Sequence, residues 1–576
     1  MGSRMFEALV LLPFILSFLL LPQSRAEISP VAPADPGAIC NGTRYPDFCK
    51  SVLPPGRSGN LYDYGRFSVA RSLSRARKFS RMINKQLARR SSLSQLAVRA
   101  LEDCKLLSDL NIDFLSSTSE ALNASNNLLD PQADRAQTLL SALLTNQQTC
   151  LDGLKLASSE WNLMNGLSVP LSNDTKLFSL SLALFSRAWI HSKKKKSNFG
   201  RGYVRGGEYP LRRGLLLRTA DIGEDGRLPL AMSRRNREIF ERAGGRGLLQ
   251  SSSSNQILVR DVVIVSKGKN RNFTSIGEAV MSAPNNTDAT SGYHLIYIVA
   301  GVYQEYVEVP KNKKYLMMIG DGINRTIITG NRSVVDGWTT FNSATFAVLG
   351  QGFVAINITF RNTAGAAKHQ AVAVRNGADQ STFHRCSFEG YQDTLYTHSL
   401  RQFYRQCDIY GTVDFIFGNA AVVFQACNLY ARLPLTGQKN MVTAQGRTDP
   451  NQNTGTSIQG CRILAAPDLA KNGSATKTYL GRPWHLYSRT IVMESFLDQL
   501  IDPAGWSPWD GDFALSTLFY AEFRNTGAGA GTAGRVKWPG LRVINATDAL
   551  NFTVANFIDG DKWLPSTGVS YLSGLT

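Results

Sequence analysis

Between residues 66 and 190 apolar residues recur at mixed three- and four-residue spacing. Arg66–Leu87 carries Val69, Leu73, Phe79, Met82, Ile83 and Leu87 in this way, and Leu93–Leu122 and Ala133–Leu156 repeat the pattern. Each predicts an amphipathic helix. Asn126–Pro131 reads as a break, and Ser172-Asn173-Asp174 as a cap for a fourth helix over Leu177–Ile190. Four helices within residues 31–190 predict an all-α, antiparallel four-helix bundle. From Ile257 the period changes. Leu258–Val265, Leu295–Ala300 and Phe346–Leu349 are β-rich runs bounded by Gly, Asn and other turn formers. Thr274–Met281 is the one early helix expected there. The strands continue to about Val543 without alternating helices, which argues against a Rossmann-like or αβ-barrel fold.

Among these strands a single shift of 21 residues superposes four pairs: Phe383 on Tyr404, Cys386 on Cys407, Gly390 on Gly411 and Asp393 on Asp414. Phe424 and Cys427 lie 20 further on from Tyr404 and Cys407. A period near 20 residues without helical patterning predicts stacked β-coils. Equivalent residues of adjacent coils then lie one parallel-strand spacing apart, ~4.8 Å. Asp393 and Asp414 become neighbours in apolar and aromatic surroundings. Two carboxylates so placed cannot both ionise freely, so one keeps a proton. One carboxylate beside one carboxylic acid is the division of labour that acyl transfer needs.

The ends of these segments change how they read. Arg4 followed by an apolar run over Phe6–Leu21 and by Ser24-Arg25-Ala26 has the form of a secretory signal peptide over residues 1–26. The run is short for a membrane anchor. Of the net charge of +19, +14 falls on residues 1–250 and +5 on residues 251–576. Residues 191–250 read as a basic linker, with Lys193–Lys196 and a Gly/Arg-rich tract that cannot bury a core. Arg246-Gly247-Leu248-Leu249, and Arg212-Arg213-Gly214-Leu215-Leu216 upstream, are candidate sites for a processing protease. A basic secreted chain suits an acidic polysaccharide better than nucleic acid. No membrane association is expected once the signal is removed.

Eight cysteines in an oxidising compartment favour disulfides over metal sites. Cys40 with Cys49 pins an N-terminal hairpin, and Cys104 with Cys150 ties two long helices. For the other four, one-coil stacking favours Cys386 with Cys407 and Cys427 with Cys461, while Cys407 with Cys427 is equally allowed by the period. Eleven Asn-x-Ser/Thr sequons, at Asn41, Asn123, Asn173, Asn272, Asn285, Asn324, Asn331, Asn357, Asn472, Asn545 and Asn551, are candidate glycosylation sites.

Longer motifs identify a family. Gly390-Tyr391-Gln392-Asp393-Thr394-Leu395-Tyr396, Gly411-Thr412-Val413-Asp414-Phe415-Ile416-Phe417-Gly418, Tyr479-Leu480-Gly481-Arg482-Pro483-Trp484, His369-Gln370-Ala371-Val372 and Gly301-Val302-Tyr303 resemble the signatures of plant pectin methylesterases. The resemblance covers about 257–560, and residues 31–190 resemble, more loosely, the inhibitor-like domain that precedes the enzyme in the family's pro-form. It implies a catalytic domain over 251–576 with a right-handed parallel β-helix of the pectin lyase type. It also implies hydrolysis of the methyl esters of cell-wall homogalacturonan. By resemblance Asp414 is the nucleophile and Asp393 the general acid and then base. Gln370 and Gln392 are the oxyanion donors, and Arg482 orients Asp414. Tyr396, Phe417 and Trp484 offer faces for the sugar, beside Gln370 and Arg482. This chemistry requires no metal or other cofactor. The expected partners are methylesterified pectin, the helical domain acting in cis as a repressor, separate inhibitor proteins and the processing protease. His369, His384, His398 and His485 match no metal-ligand spacing, and no Gly-x-Ser-x-Gly elbow suggests a serine triad. Two other readings stay open on residues alone. Carboxylates ~5 Å apart also suit a retaining glycosidase, and polyuronate lyases share the β-helix. A non-enzymatic inhibitor or wall-binding protein would rest on the helical domain.

Overall fold

The computed structural model describes residues 29–54, 59–157, 161–190, 227–250, 256–268, 271–472 and 475–576. The expected signal peptide, Lys193–Lys196 and Arg212–Leu216 lie outside the described residues.

The N-terminal domain is a helical bundle. Leu61–Leu87, Gln95–Ala124, Asp130–Leu156 and Trp161–Phe185 are its long helices. Asn60 and Asp63 cap the first reciprocally, and Ser94 caps the second. The break at Asn126–Pro131 separates the second and third. The fourth helix differs from expectation. It begins at Trp161 and runs through Ser172-Asn173-Asp174, so these residues cap nothing. Asp174 is instead buried inside the bundle, where Arg75 Nε donates to it at 2.8 Å. The Cys40–Cys49 and Cys104–Cys150 disulfides form as expected, the first joining the short helices Pro36–Cys40 and Pro46–Val52.

The C-terminal domain is a right-handed parallel β-helix. Its strands fall into three sheets, and outside the two ends of the largest sheet each strand pairs with the strand three places along, so three strands complete one coil. The 21-residue shift is the observed register: Phe383 pairs with Tyr404, Ser387 with Asp408 and Leu395 with Ile416. Phe383, Tyr404 and Phe424 stack along the core, with ring centroids 5.1 and 4.7 Å apart. Phe353 beside the same sheet, and Phe346, Phe360 and Phe388 from the other two, pack against this stack among aliphatic side chains. The early helix is Ile276–Ser282, capped by Ser275, and it closes one end of this core through Ile276, Ala279 and Val280. Short helices after the last strand, Leu541–Val543, pack Val554, Ile558 and Leu564 on the outside of the largest sheet.

Two expectations are corrected here. Residues 227–250 are not a tether. Leu230–Ala231 pairs with Ile257 and Leu258 as an added strand, and the Arg234–Arg242 helix lays buried Phe240 against Tyr297 at 4.9 Å. Buried Leu228, Leu230 and Phe240, with Met232, Ile239, Ala243, Leu248 and Leu249 packed beside them, dock the segment despite its six arginines. Arg246–Leu249 therefore lies in a folded turn, with Leu228 N–H donating to Leu248 C=O. The second correction concerns Cys386, Cys407, Cys427 and Cys461. All four are buried free thiols, and neither Cys386–Cys407 nor Cys427–Cys461 is bonded. They do stack one coil apart, since Asp408 N–H donates to Cys386 C=O and Asn428 N–H to Cys407 C=O. Neighbouring thiols of the stack hydrogen-bond one another without a covalent link. Each thiol also lies 3.4–3.5 Å from a carbonyl of the preceding coil, such as Phe383 O for Cys407.

Candidate active site

The seven-stranded sheet builds a floor. Val374, Leu395 and Ile416 point into the core, so the residues after them stand outside. Ala347, Arg375, Tyr396, Phe417, Ala444 and Arg482 form one outward column in register. Tyr396 and Phe417 stack with centroids 4.2 Å apart, and Trp484 closes on Phe417 at 5.9 Å.

Asp393 and Asp414 occupy equivalent positions just before two of these strands. Asp393 N–H donates to Val413 C=O of the next coil. Both have left-handed backbones, φ 62° and 52°, a conformation that is uncommon outside glycine. Both are buried, yet their partners differ. Arg482 grips Asp414 with two parallel bonds, Nε to Oδ1 at 2.8 Å and Nη2 to Oδ2 at 2.7 Å. Burial pushes both carboxyls up. Arg482 opposes the rise at Asp414, whereas the Asp414 charge adds to it at Asp393, which ends well above the usual carboxylate range. The proton of the pair therefore rests on Asp393.

These aspartates line a cavity of about 260 Å³ together with Gln370, Gln392, Tyr396, Phe417, Arg482 and Trp484. All eight residues singled out from the sequence for catalysis or sugar contact are thus brought together. The cavity also holds residues the motifs do not reveal. Phe341 comes from the coil before Gln370, and Trp509 lies over the Arg482 guanidinium at 4.2 Å. The Trp506-Ser-Pro-Trp509 repeat of tryptophan is the available signal for Trp509. None of His369, His384, His398 and His485 lines the cavity. His398 and His384 are buried, which pushes each down to about 3, and burial takes His485 to about 4. His369 caps a short 3₁₀ turn.

The remaining wall of the cavity is the helical bundle. Asp103, Thr149, Asp152 and Gly153 line it from the second and third long helices. Asp103 accepts from Thr339 Oγ1 at 2.5 Å and from Asn342 Nδ2. Thr149 Oγ1 lies 3.0 Å from His398 Nε2 and 3.4 Å from Tyr396 Oη. Further along, Asn419 Nδ2 donates to Thr145, Gln452 Nε2 to Ser141 C=O, and Ser179 Oγ to Asp449 at 2.6 Å. Leu400 packs on Leu139 and Ala142. Burial pushes Asp103 up to about 7 and Asp152 up to about 6. Tyr396 and Phe417 are only 4% and 5% exposed, because the bundle lies on them. Nine of the eleven sequons are exposed, while Asn173 and Asn357 are half-buried.

Comparison with known proteins agrees with this geometry. The family model named Pectinesterase matches residues 261–561, and that of the plant invertase/pectin methylesterase inhibitor matches residues 35–184. The chain is 56% identical over 543 residues to probable pectinesterase/pectinesterase inhibitor 41 of Arabidopsis thaliana, covering 93% of this chain and 94% of the relative. It is 52% identical to probable pectinesterase/pectinesterase inhibitor 7 of the same plant, over the full length of both. Among solved structures, pectin methylesterase from carrot is 55% identical with a TM-score of 0.54, and 57% of this chain covers all of that one. No helix of the described residues is long and apolar enough to cross a membrane. With both segments matched and the relatives aligned almost end to end, the chain belongs to the pectinesterase family, as an enzyme whose β-helix follows a domain of the pectin methylesterase inhibitor type.

Proposed function

We propose that the chain is a secreted cell-wall enzyme that converts methylesterified homogalacturonan and water to pectate and methanol through an aspartyl acyl-enzyme, and that the helical bundle represses it in cis. The observation that carries the reading is the unequal treatment of a matched carboxyl pair: Arg482 holds both oxygens of Asp414, and Asp393 keeps the proton. An Asp414 oxygen attacks the ester carbonyl carbon. The tetrahedral oxyanion receives hydrogen bonds from the Gln370 and Gln392 amides, neutral donors that add no charge. Collapse breaks the carbon–methoxyl bond, and the Asp393 proton leaves with methanol. Asp393, now ionised, takes a proton from water as that water attacks the acyl carbon. Asp414 departs as a carboxylate beside Arg482, and the product is a galacturonate. Tyr396, Phe417 and Trp484 give the sugar its faces.

In the uncut chain the same floor is covered by the bundle, which supports repression in cis. Separate inhibitor proteins of the same helical type would compete for that surface. Processing removes the bundle. A cut within Arg246–Leu249 must first undo the bonds between Leu228, Leu248 and Gln250. The sequons are read as acceptors of N-linked sugar during secretion. The test is methanol release from highly methylesterified pectin by the full chain, by residues 227–576, and by Asp414→Asn in the latter. The expected order is slow, fast and none. Full-chain activity equal to that of residues 227–576 overturns repression. New reducing ends or unsaturated products overturn the ester chemistry.

A further inference from the structure

The loop between the strands Thr326–Gly330 and Phe346–Val348 carries a stack of alternating rings and guanidinium groups. Arg332 lies over the Tyr306 ring at 3.6 Å and over the Trp338 ring at 3.8 Å. Arg99, from the second long helix of the bundle, lies over the same Trp338 ring at 3.7 Å. Two guanidinium groups this close to one ring centre cannot share a face, so Arg99 and Arg332 sandwich the indole. Everything beneath Arg99 is built by the enzyme alone. Tyr306 Oη donates to Asn331 Oδ1 at 2.8 Å and accepts from Asn331 N–H at 3.0 Å. Ser333 Oγ donates to Asp336 at 2.7 Å, and Trp338 N–H donates to Ser333 C=O at 3.2 Å. Gly337 has a φ of 79°, in the left-handed region that favours glycine, and its C=O accepts from Arg99 Nη1. Four residues after Arg99, on the same side of its helix, Asp103 accepts from Thr339 and Asn342 of the same loop. Trp338 does not line the cavity that holds Asp393 and Asp414, and it stays half-buried even under Arg99.

A half-exposed indole on a loop fixed from within is a strong anchor for a protein partner. We propose that Gly337, Trp338, Thr339 and Asn342 form a docking epitope on the catalytic domain that reads one turn of a helix, an arginine followed four residues later by a carboxyl group, and that Arg99 and Asp103 are that pair in this chain. This rests on the repression in cis given under Proposed function and deepens it by naming the contact that selects the partner. The two arginines on one indole repel each other, and the charge of Arg99 adds to the burial that lowers Arg332. That repulsion weakens a lysine as much as an arginine. Only a guanidinium can lie flat on the ring and donate in its own plane to Gly337 C=O. Asp103 alone is met by two neutral donors and leaves the helix free to pivot. The arginine supplies a second point one turn away, and two points fix both the direction and the rotation of the helix on the loop. A helical domain without the arginine would keep only its acid engaged. Because Trp338 lies off the cavity wall, the epitope is separate from the faces offered to the sugar.

The test compares the full chain with residues 227–576, since the carrot structure matched in full by 57% of this chain is a β-helix without the bundle. The repression factor is the methanol release of residues 227–576 divided by that of the full chain. Trp338→Leu is made in both, so that any change in the enzyme itself cancels. It should lower the factor about tenfold, and Arg99→Gln in the full chain should do the same. The two together should lower it no further, because each removes the same contact. Arg99→Lys should fall nearer to Arg99→Gln than to the parent. Trp338→Phe keeps an aromatic face and should lower the factor about threefold, which covers a Trp338→Leu that fails to fold. Single effects that multiply in the double variant, or an unchanged factor in Arg99→Gln, overturn the epitope. If the unaltered full chain is as active as residues 227–576, repression in cis fails, and docking is then read without activity. Amide hydrogen exchange of residues 331–338 should be slower in the full chain than in residues 227–576, and Arg99→Gln should restore the faster rate. Equal exchange in all three overturns the epitope as well.

Discussion

Asp393 and Asp414 face a cavity whose opposite wall carries a second pair, Asp103 and Asp152. Burial raises all four. The first pair comes from adjacent coils and has a bidentate arginine on one member only. The second pair comes from two helices and has neutral donors: Thr339 and Asn342 on Asp103, Gln148 on Asp152 at 2.8 Å. Arg482, bonded to both oxygens of Asp414, sets the first pair apart as one charge and one proton, whereas burial holds both members of the second pair up against the pull of Arg375 on Asp103 and of Lys155 on Asp152. On the function proposed above, the same residue type at similar burial serves catalysis in one pair and obstruction in the other, according to what donates to it.

The comparison breaks most visibly at Asp414, the proposed nucleophile. Asp414→Asn in residues 227–576 should lower kcat at least ~10⁴-fold with the thermal midpoint retained, since a neutral amide leaves no carboxylate to attack. Asp152→Asn in the same assay has no counterpart, because Asp152 lies outside those residues. Activity surviving in Asp414→Asn would erase the distinction between the pairs.

Removing the arginine sharpens the contrast next. Arg482→Gln takes away what opposes the rise at Asp414. Its carboxyl then keeps its proton to higher pH, so the acid limb of the kcat profile should move up while kcat at its plateau falls about 10²-fold. A limb that stays in place or moves down would mean that Arg482 acts only in binding.

The legible and hidden regions of the molecule divide along the same line. Asp393 and Asp414 can be placed side by side because a 21-residue shift fixes register, and register fixes coil position. Arg482 lies 68 residues from Asp414 and is accessible only through the resemblance. Asp103 is hidden because a helix carries no register to the domain it meets; inside Leu93–Leu122 it is one acid among several. The thiols show the limit of periodicity itself. Spacing locates the Cα positions of Cys386 and Cys407 but not the direction of their side chains, so stacking does not imply bonding. Residues 227–250 mislead because they continue the basic, glycine-containing tract before them, while Leu228, Leu230 and Phe240 decide where they sit.

A third test asks whether the obstructive pair senses pH. Asp103 is faced by Thr339, Asn342 and Arg375 of the β-helix and by Glu102 of its own helix. Its carboxyl is raised from the ordinary aspartate value of 3.8 to about 7 when docked. A group raised by docking stabilises the docked state fully below 3.8, and the stabilisation is lost as pH rises through the docked value near 7. Repression should therefore weaken across that window. The full chain's rate, divided by that of residues 227–576 at each pH, should climb by up to about tenfold per pH unit from this one group. In full-chain Asp103→Asn the climb should flatten to what Asp152 contributes near pH 6. An identical climb in the variant would transfer the sensing to Asp152 or to the Asp393–Asp414 pair.

The smallest effect concerns the neutral contacts between the two pairs. Thr149 reaches Tyr396 and His398 through one hydroxyl, in a region otherwise closed by apolar packing. His398 is held neutral by burial, with its value near 3, so neither partner carries charge. Thr149→Val keeps the volume and removes one shared hydrogen bond, a loss of about 1 kcal/mol. Full-chain methanol release should rise about fivefold, equally at every pH, because nothing that titrates in the working range has been touched. That uniformity separates the contact from Asp103, whose removal changes the slope of the pH profile. A pH-dependent response to Thr149→Val would mean that His398 gains a proton when the interface opens, and it would add an imidazole to the groups that decide how tightly the bundle is held.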